Sequence, residues 1–389
     1  MVGAEHQRRA GKLSKRRAVI VGAGIGGLAA GIALHRRGWK VSVLEQAAEL
    51  REVGAGISLW PNAVRALDLL GLGDRVRGLG GIEAAAGFRD SSGRWLFRSD
   101  IAAIRERYGD TLMIRRPDLL EILRSALPVE AVVLDASVRQ VVPGGRQVTV
   151  THTRGEHIGD LVVGADGIRS TVRAHVFPAA KPPVYAGYTT WRLMTPPLRI
   201  QIEASESWGH GERVGIFPLS DGSIYSYLTA SVPPDLRYTD DHAELRRRFG
   251  RWHQPIPAML ESVRNAEILR HDIYRLPPLD RYAIGRTVLV GDAAHAMTPD
   301  VGQGGGTALE DAVELAEVLD EIADVAAALV AYDRRRRGRT QAIARQSALF
   351  GSVAQWSLPP LAMLRNALLG RLPPVVLLRS LKPMLSWHT

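Results

Sequence analysis

The sequence predicts an α/β fold in which a parallel-sheet nucleotide domain is interrupted by an inserted, mainly β domain and followed by a C-terminal helical segment. Three observations lead there. Ala18 to Val21, Leu28 to Arg37 and Lys40 to Leu44 read as strand, helix and strand, with glycines in the first turn and Gly38 at the helix end. Such a βαβ unit requires a parallel sheet. From about Pro182 to Arg275 the texture changes to short β-like runs, among them Val214 to Pro218 and Ile224 to Ala230 across an Asp221-Gly222 hairpin turn. Strand character then returns at Thr287 to Val290, ahead of a long helix over Thr307 to Asp333, so the first domain is discontinuous.

The remaining elements follow in order. Residues 1–16 form a basic head expected to be disordered. Asn62 to Leu70 reads as a helix closed by Gly71, and Pro117 to Ala126 as a helix with proline in its first turn. Val129 to Thr153 alternates like strands around a Pro143-Gly144-Gly145 turn. The expected division is residues 17–80, 101–181 and 276–350 for the nucleotide domain, 81–100 and 182–275 for the inserted sheet, and 351–389 for the helical tail.

Composition bounds the function. With 389 residues, 46% apolar and 23% charged, the chain has the balance of a globular protein of two or three domains. The net charge is +10, and much of the excess sits in His6 to Arg17 and in Arg334 to Arg337, which read as a solvated arm and a solvated helix end. No zinc-finger or RNA-reading signature accompanies them, so no nucleic-acid partner is expected. The absence of cysteine excludes disulfides, thiolate metal sites, thiol nucleophiles and cysteinyl attachment of a cofactor, and fits a cytoplasmic location. Ala18 to Leu34 mimics a signal peptide, but its glycines stand where a nucleotide turn needs them. The tail from Trp356 reads as an amphipathic segment packed over the protein, with membrane contact the less favoured alternative. The expected state is a monomer or homodimer.

Three motifs carry chemistry. Gly22-Ala23-Gly24-Ile25-Gly26-Gly27 follows a strand and opens a helix. Gly22 allows the tight turn, Gly24 the approach of a pyrophosphate, and Gly27 close packing of helix on strand. The helix start, Ile25 included, then offers N–H groups and a positive dipole end to the phosphates. Glu45, with Gln46 beside it, ends the next strand at the distance where an acid accepts bonds from ribose hydroxyls, and it argues against a 2′-phosphate there. This makes a Rossmann-like dinucleotide site without separating FAD from NAD. The second motif, Gly164-Ala165-Asp166-Gly167, ends the strand Leu161 to Val163 and taken alone is equally an ordinary turn. The third runs from Gly291-Asp292 through His295 and Pro299 to Gly302-Gln303-Gly304-Gly305-Gly306. Asp292 sits at a strand end, in reach of a sugar-like hydroxyl, and the glycines gather N–H groups at a helix start, where negative charge is favoured.

In this order and spacing the three motifs resemble the FAD-dependent aromatic-ring hydroxylases, single-component flavoprotein monooxygenases of the para-hydroxybenzoate hydroxylase type, over about Arg17 to Ser347. The resemblance implies non-covalent FAD. Gly22, Gly24 and Gly27 would hold its pyrophosphate, Glu45 its adenosine ribose, Arg116 its ribityl–phosphate region and Asp292 its ribityl chain. Pro299 and Gly302 to Gly305, Gln303 included, would flank the isoalloxazine ring. Asp166-Gly167 matches a motif associated with FAD and NAD(P)H, and Ser58 and Val138 lie where the family also lines FAD. The activity implied is reduction of the flavin by NAD(P)H, addition of O2 to give a C4a-hydroperoxide, and hydroxylation of an electron-rich aromatic small molecule. Gly54 to Asn62 and Thr298 to Gly305 resemble the urate, salicylate and 3-hydroxybenzoate hydroxylase branch. There Arg213, Tyr225 and Asp300 match substrate-site and catalytic residues, and Trp191-Arg192 is a pattern of the wider family that places Trp191 at the substrate. Taken alone, Arg213 reads equally as a strand arginine and Tyr225 as a core aromatic. His295 has no second ligand at metal spacing, so no metal is expected. Three other functions fit the same motifs: an epoxidase of an alkene or indole, a flavoprotein dehydrogenase, and a non-catalytic FAD-binding protein.

Overall fold

The computed structural model describes residues 16–50, 56–82, 86–198, 200, 202–371 and 373–388. The basic head therefore lies outside the described residues up to position 15, as do Gly54 and Ala55 of the Gly54 to Asn62 run.

The nucleotide domain is built on a six-stranded sheet in the order Ala283–Ile284, Thr287–Leu289, Leu161–Gly164, Arg17–Val21, Lys40–Leu44, Val132–Val133. All neighbours are parallel except the outermost Ala283–Ile284 pair. The strands are near-continuous apolar runs because both faces are covered. Helix Ile25–His35 is apolar all round, with nine buried residues, because it lies between this sheet and helix Gly304–Glu321.

The second large sheet has seven strands, in the order Leu269–Arg275, Val184–Met194, Ile224–Ala230, Glu212–Pro218, Ser205–Trp208, Ala86–Asp90, Trp95–Ser99. One face buries Trp191, Leu193, Val214, Ile216 and Leu228 against Leu245, Phe249, Met259 and Leu260 of helices Asp241–Phe249 and Ile256–Glu261. The strand period of two sends the alternate side chains to the other face. Gly81–Ile82, expected in this inserted sheet, pairs instead with Leu112–Arg115 in a small sheet that also holds Gly56–Leu59.

Two other expectations are corrected. The helix expected over Thr307 to Asp333 is two helices, Gly304–Glu321 and Val325–Ala354, because the Asp324 side chain accepts from Ala327 N–H at 2.8 Å and caps the second. The run Arg334 to Arg337 is not a solvated end. It lies inside the second helix, and Arg336 is fully buried. Its Nε donates to Asp311 Oδ1 at 2.7 Å, and its Nη1 lies 2.7 Å from Glu310 Oε2. Asp311 Oδ2 also accepts from Gly291 N–H at 2.8 Å and meets His295 Nε2 at 2.6 Å. Glu310 takes a further bond from Arg339 at 2.8 Å and one from Asn62 at 2.6 Å. The tail forms helices Pro359–Leu369 and Pro374–Leu385. No helix among the described residues is long and apolar enough to cross a membrane.

Burial opposes ionisation of Asp311, but His295 and Arg336 outweigh it and bring the carboxyl down to about 2. A depressed carboxyl contributes stability that is present above its unfolded value of about 4 and lost as pH falls through the folded value. Asp311→Asn is therefore expected to flatten the loss of stability between about pH 4 and pH 2, read by urea unfolding at a series of pH values. Arg336→Met leaves Asp311 without a guanidinium partner and Glu310 with Arg339 alone. It is expected to lower unfolding free energy by about 3–5 kcal/mol at neutral pH; an unchanged urea midpoint would show that the network is not holding the helices together.

Candidate active site

The glycine turn is shaped by close contacts. A Cβ on Gly27 would stand 1.9 Å from Gly22 O, and one on Gly22, at φ +100°, 2.5 Å from Ala165 O. These two positions serve helix–strand packing. Gly24 differs, because a Cβ there would meet nothing within 4 Å, and with Ile25 and Gly26 it faces a cavity of about 900 Å³. Glu45 braces the turn from behind, accepting from Ala23 N–H at 2.8 Å and Ala47 N–H at 2.9 Å. Gln46 is exposed beside it.

The third motif enters the same cavity from the other side. Gly291, at φ +56°, turns the chain so that Asp292 opens a short helix, exposed and lining the cavity. Pro299, Gly302, Gly304 and Gly305 line it further, at the start of helix Gly304–Glu321, whose first turn holds no acid. Ser58 on strand Gly56–Leu59 and Arg116 at the start of helix Arg116–Ser125 also line it.

Besides Gly22, Gly27, Glu45 and Gln46, three more expected cofactor residues stand off the cavity lining. Asp166 accepts from Ser170 Oγ at 2.5 Å and Val172 N–H at 3.0 Å, so its carboxylate braces the turn before helix Thr171–Val176, and its neighbours Ala165 and Gly167 face the cavity. Burial pushes this carboxyl up, against those hydrogen bonds. The Gln303 side chain is buried and bonded to Asn62 at 2.9 Å. The Val138 side chain packs against the main core, and the contact expected of this residue is through its backbone. Two helix starts, an open backbone at Gly24 and an exposed Asp292 on one long cavity fit a dinucleotide with a ribityl-like polyol.

The opposite wall is the free face of the seven-stranded sheet. The register pairs Arg213 with Thr229, Gly215 with Tyr227 and Phe217 with Tyr225, which puts Arg213, Phe217, Tyr225, Tyr227 and Thr229 on one face, all lining the cavity. Arg213 is 2% exposed. It donates to Glu206 Oε1 at 3.0 Å and to Asp300 Oδ1 at 2.7 Å, and Tyr188 O–H donates to Asp300 Oδ2 at 2.9 Å. Burial opposes the charge of Arg213, but the two carboxylates outweigh it and raise its pKa. Burial also raises Glu206 and, far more, the Tyr188 and Tyr227 phenols. Arg213 thus joins the sheet to the Pro299–Gly305 loop, with its charge already answered by two acids. Tyr225 packs beside Gly56, where a Cβ would stand 2.6 Å from its ring.

Trp191 is a correction. It lies on the other face, fully buried, with its Nε1 donating to Asp241 at 2.7 Å, and strand alternation turns Arg192 to the cavity instead. The same alternation carries the signal for Tyr227, two residues from Tyr225 and missed from sequence. Leu381 and Met384 of the tail also line the cavity, and no local pattern announces them.

A long cavity between a glycine-turn nucleotide domain and a polar-floored sheet defines a flavoprotein oxidoreductase. The chain belongs to the FAD-binding domain family, whose model matches residues 15–347, and is a FAD-dependent monooxygenase of the aromatic-ring hydroxylase group. It is 37% identical over 345 residues to the aurachin C monooxygenase/isomerase of Stigmatella aurantiaca, covering 87% of this chain and 89% of that one. It is 34% identical over 334 residues to a FAD-dependent urate hydroxylase of Klebsiella pneumoniae, covering 84% and 87%. The crystal structure of Klebsiella pneumoniae HpxO with FAD and uric acid superposes with a TM-score of 0.89 at 30% identity, over 95% of this chain and 96% of that one.

Gly24 and Gly27 separate cofactor approach from folding. Gly24→Val is expected to leave unfolding of the FAD-free protein unchanged and to weaken FAD binding at least about tenfold, read by fluorescence titration. Gly27→Ala is expected to lower stability even without FAD; equal effects of the two would contradict the assignment.

Proposed function

We propose that the protein uses NAD(P)H and O2 to hydroxylate an electron-rich aromatic or heteroaromatic small molecule. The observation that carries this reading is the Arg213–Asp300 pair, which ties the loop of the FAD motif to the aromatic floor of the cavity. The redox chemistry comes from FAD, which when bound accepts electrons from NAD(P)H and activates O2. The chain's own residues supply position and dryness. Phe217, Tyr225 and Tyr227, with ring centroids 5.7 to 6.5 Å apart, form a wall on which a planar ring can stack. Phe88 and Phe350, 5.8 Å apart, exclude water beside Trp208.

Asp300 is read here as a positioning residue, because both its oxygens are occupied and its side chain is 1% exposed. Arg213 pairs with both Asp300 and Glu206 at the floor. Ile104, Leu381 and Met384 contribute an uncharged wall, which supports a substrate bearing an apolar substituent. The names of the relatives are in keeping: one acts on aurachin C, another on urate.

The reading is tested by substrate-dependent NAD(P)H oxidation under labelled O2 over a panel of aromatic acids, purines, quinolones and terpenoid indoles. Oxygen from O2 is expected in a ring-hydroxylated product. Turnover without incorporation would make the protein a dehydrogenase, absence of turnover a binding protein, and an epoxide product an epoxidase. A charge-assisted bond is worth about 1.5–3 kcal/mol. Asp300→Asn keeps one oxygen that accepts from Arg213 but loses the charge, and its amide nitrogen cannot accept from Tyr188 O–H. It is expected to lower kcat/KM about ten- to hundredfold and to raise the NAD(P)H consumed per product formed; unchanged coupling would sink its positioning role.

A further inference from the structure

Helix Pro359–Leu369 turns its apolar side outward. Leu358 at its cap, and Leu361, Met363, Leu364 and Leu368 within it, are 39 to 69% exposed. Its buried residues are Ala362 and Arg365. Arg365 pins the helix to the body, donating to Ala354 O at 2.6 Å and Gly209 O at 2.9 Å, with its guanidinium 5.0 Å from the Trp208 ring centroid. The one charged side chain of the helix thus faces inward and the leucines face out, the reverse of an ordinary surface helix. A contiguous apolar face of this kind marks an interaction site.

The charge of the chain says what covers it. Residues 334–389 hold nine arginines, one lysine and no aspartate or glutamate. With 50 basic and 40 acidic residues in the whole chain, residues 1–333 hold 40 of each, so the last 56 residues carry a formal charge of +10, part of it answered by acids of the body. Arg335, Arg336, Arg337 and Arg339 answer acids of the body. Arg345, Arg371 and Lys382 are exposed and have no acidic partner among the described residues. Arg371 stands two residues beyond the end of the leucine-bearing helix.

From the outward leucines and the one-sided charge we infer that helix Pro359–Leu369 docks on an anionic lipid bilayer, with Leu358, Leu361, Leu364 and Leu368 entering the headgroup–acyl boundary. Interfacial helices combine exposed apolar side chains with flanking cations, and each cation near an anionic leaflet adds to the attraction. A second copy of this chain fits worse, since it would bring two cationic segments together. Nucleic acid fits worse too, because the exposed face offers aliphatic carbon and no stacking ring. The following helix lines the cavity with Leu381 and Met384, so docked face and cavity wall belong to one stretch of chain.

The test is co-sedimentation of the full-length, FAD-loaded protein with vesicles, without substrate, so its outcome is independent of the reaction proposed above. Binding is expected to mixed phosphatidylcholine–phosphatidylglycerol vesicles, to weaken in high salt, and to be poorer on pure phosphatidylcholine. The triple substitution Leu361→Ser, Leu364→Ser, Leu368→Ser is expected to reduce partitioning about tenfold or more while keeping the flavin absorbance spectrum. Arg371→Glu with Lys382→Glu is expected to remove most of the preference for phosphatidylglycerol. Absence of binding to the mixed vesicles overturns the inference. So does a concentration-dependent dimer, seen by light scattering, that the leucine substitutions abolish while vesicle binding persists.

Discussion

Three hydrogen bonds converge on the buried carboxylate of Asp311, and the shape of the cavity depends on them. One comes from Gly291 N–H at the strand end, one joins His295 at the end of the next helical turn, and one comes from Arg336 on the following long helix. The loop that presents Asp292 and Pro299 is therefore not held by its own glycines alone. It is held by an acid from the helix behind it. The cost of burying Asp311 and Glu310 is offset only while the guanidinium groups of Arg336 and Arg339 are present, so helix Val325–Ala354 is as much a part of the nucleotide site as the glycine turn is.

The nucleotide half was legible in the sequence because its chemistry is local. Strand, turn, helix and acid lie within a few dozen residues, and Gly22 and Gly27 mark close approaches that no other side chain fits. The substrate half was legible in outline, since Arg213, Tyr225 and Asp300 do meet at one cavity. What sequence did not reveal is which way side chains turn and what they meet. Trp191 went to the wrong face because the strand's parity is set by helices Asp241–Phe249 and Ile256–Glu261, distant in sequence. Arg336 looked solvated because its acids lie on the preceding helix, some 25 residues away. Asp166 and Gln303 sit inside recognisable motifs, yet their side chains brace the turns and leave the backbone to face the cavity.

The floor of the cavity follows the same economy of charge. Arg213, Glu206 and Asp300 satisfy one another out of contact with bulk water, with Tyr188 completing the set. A ligand there meets polar groups already hydrogen-bonded to one another, beside three aromatic rings. Such a surface recognises shape and ring stacking more than net charge, which is consistent with relatives of this fold acting on molecules as different as aurachin C and urate.

Helix Val325–Ala354 touches these regions in sequence along its length. Arg336 meets Asp311, Ser347 Oγ donates to Thr298 O at 2.7 Å, Gly351 lies against Asp300, and Gln355 at its end reaches Thr229 of the sheet at 3.3 Å. A thirty-residue helix is a rod of about 45 Å. It acts as a calliper: the gap between the nucleotide loop and the aromatic floor is set by one stiff element and not by the sum of several loops. Position 351 is the contact point of its jaw, since a Cβ there would stand 2.2 Å from Asp300 Oδ2. A single methyl group at that point would press on Asp300 from a residue that does not itself line the cavity.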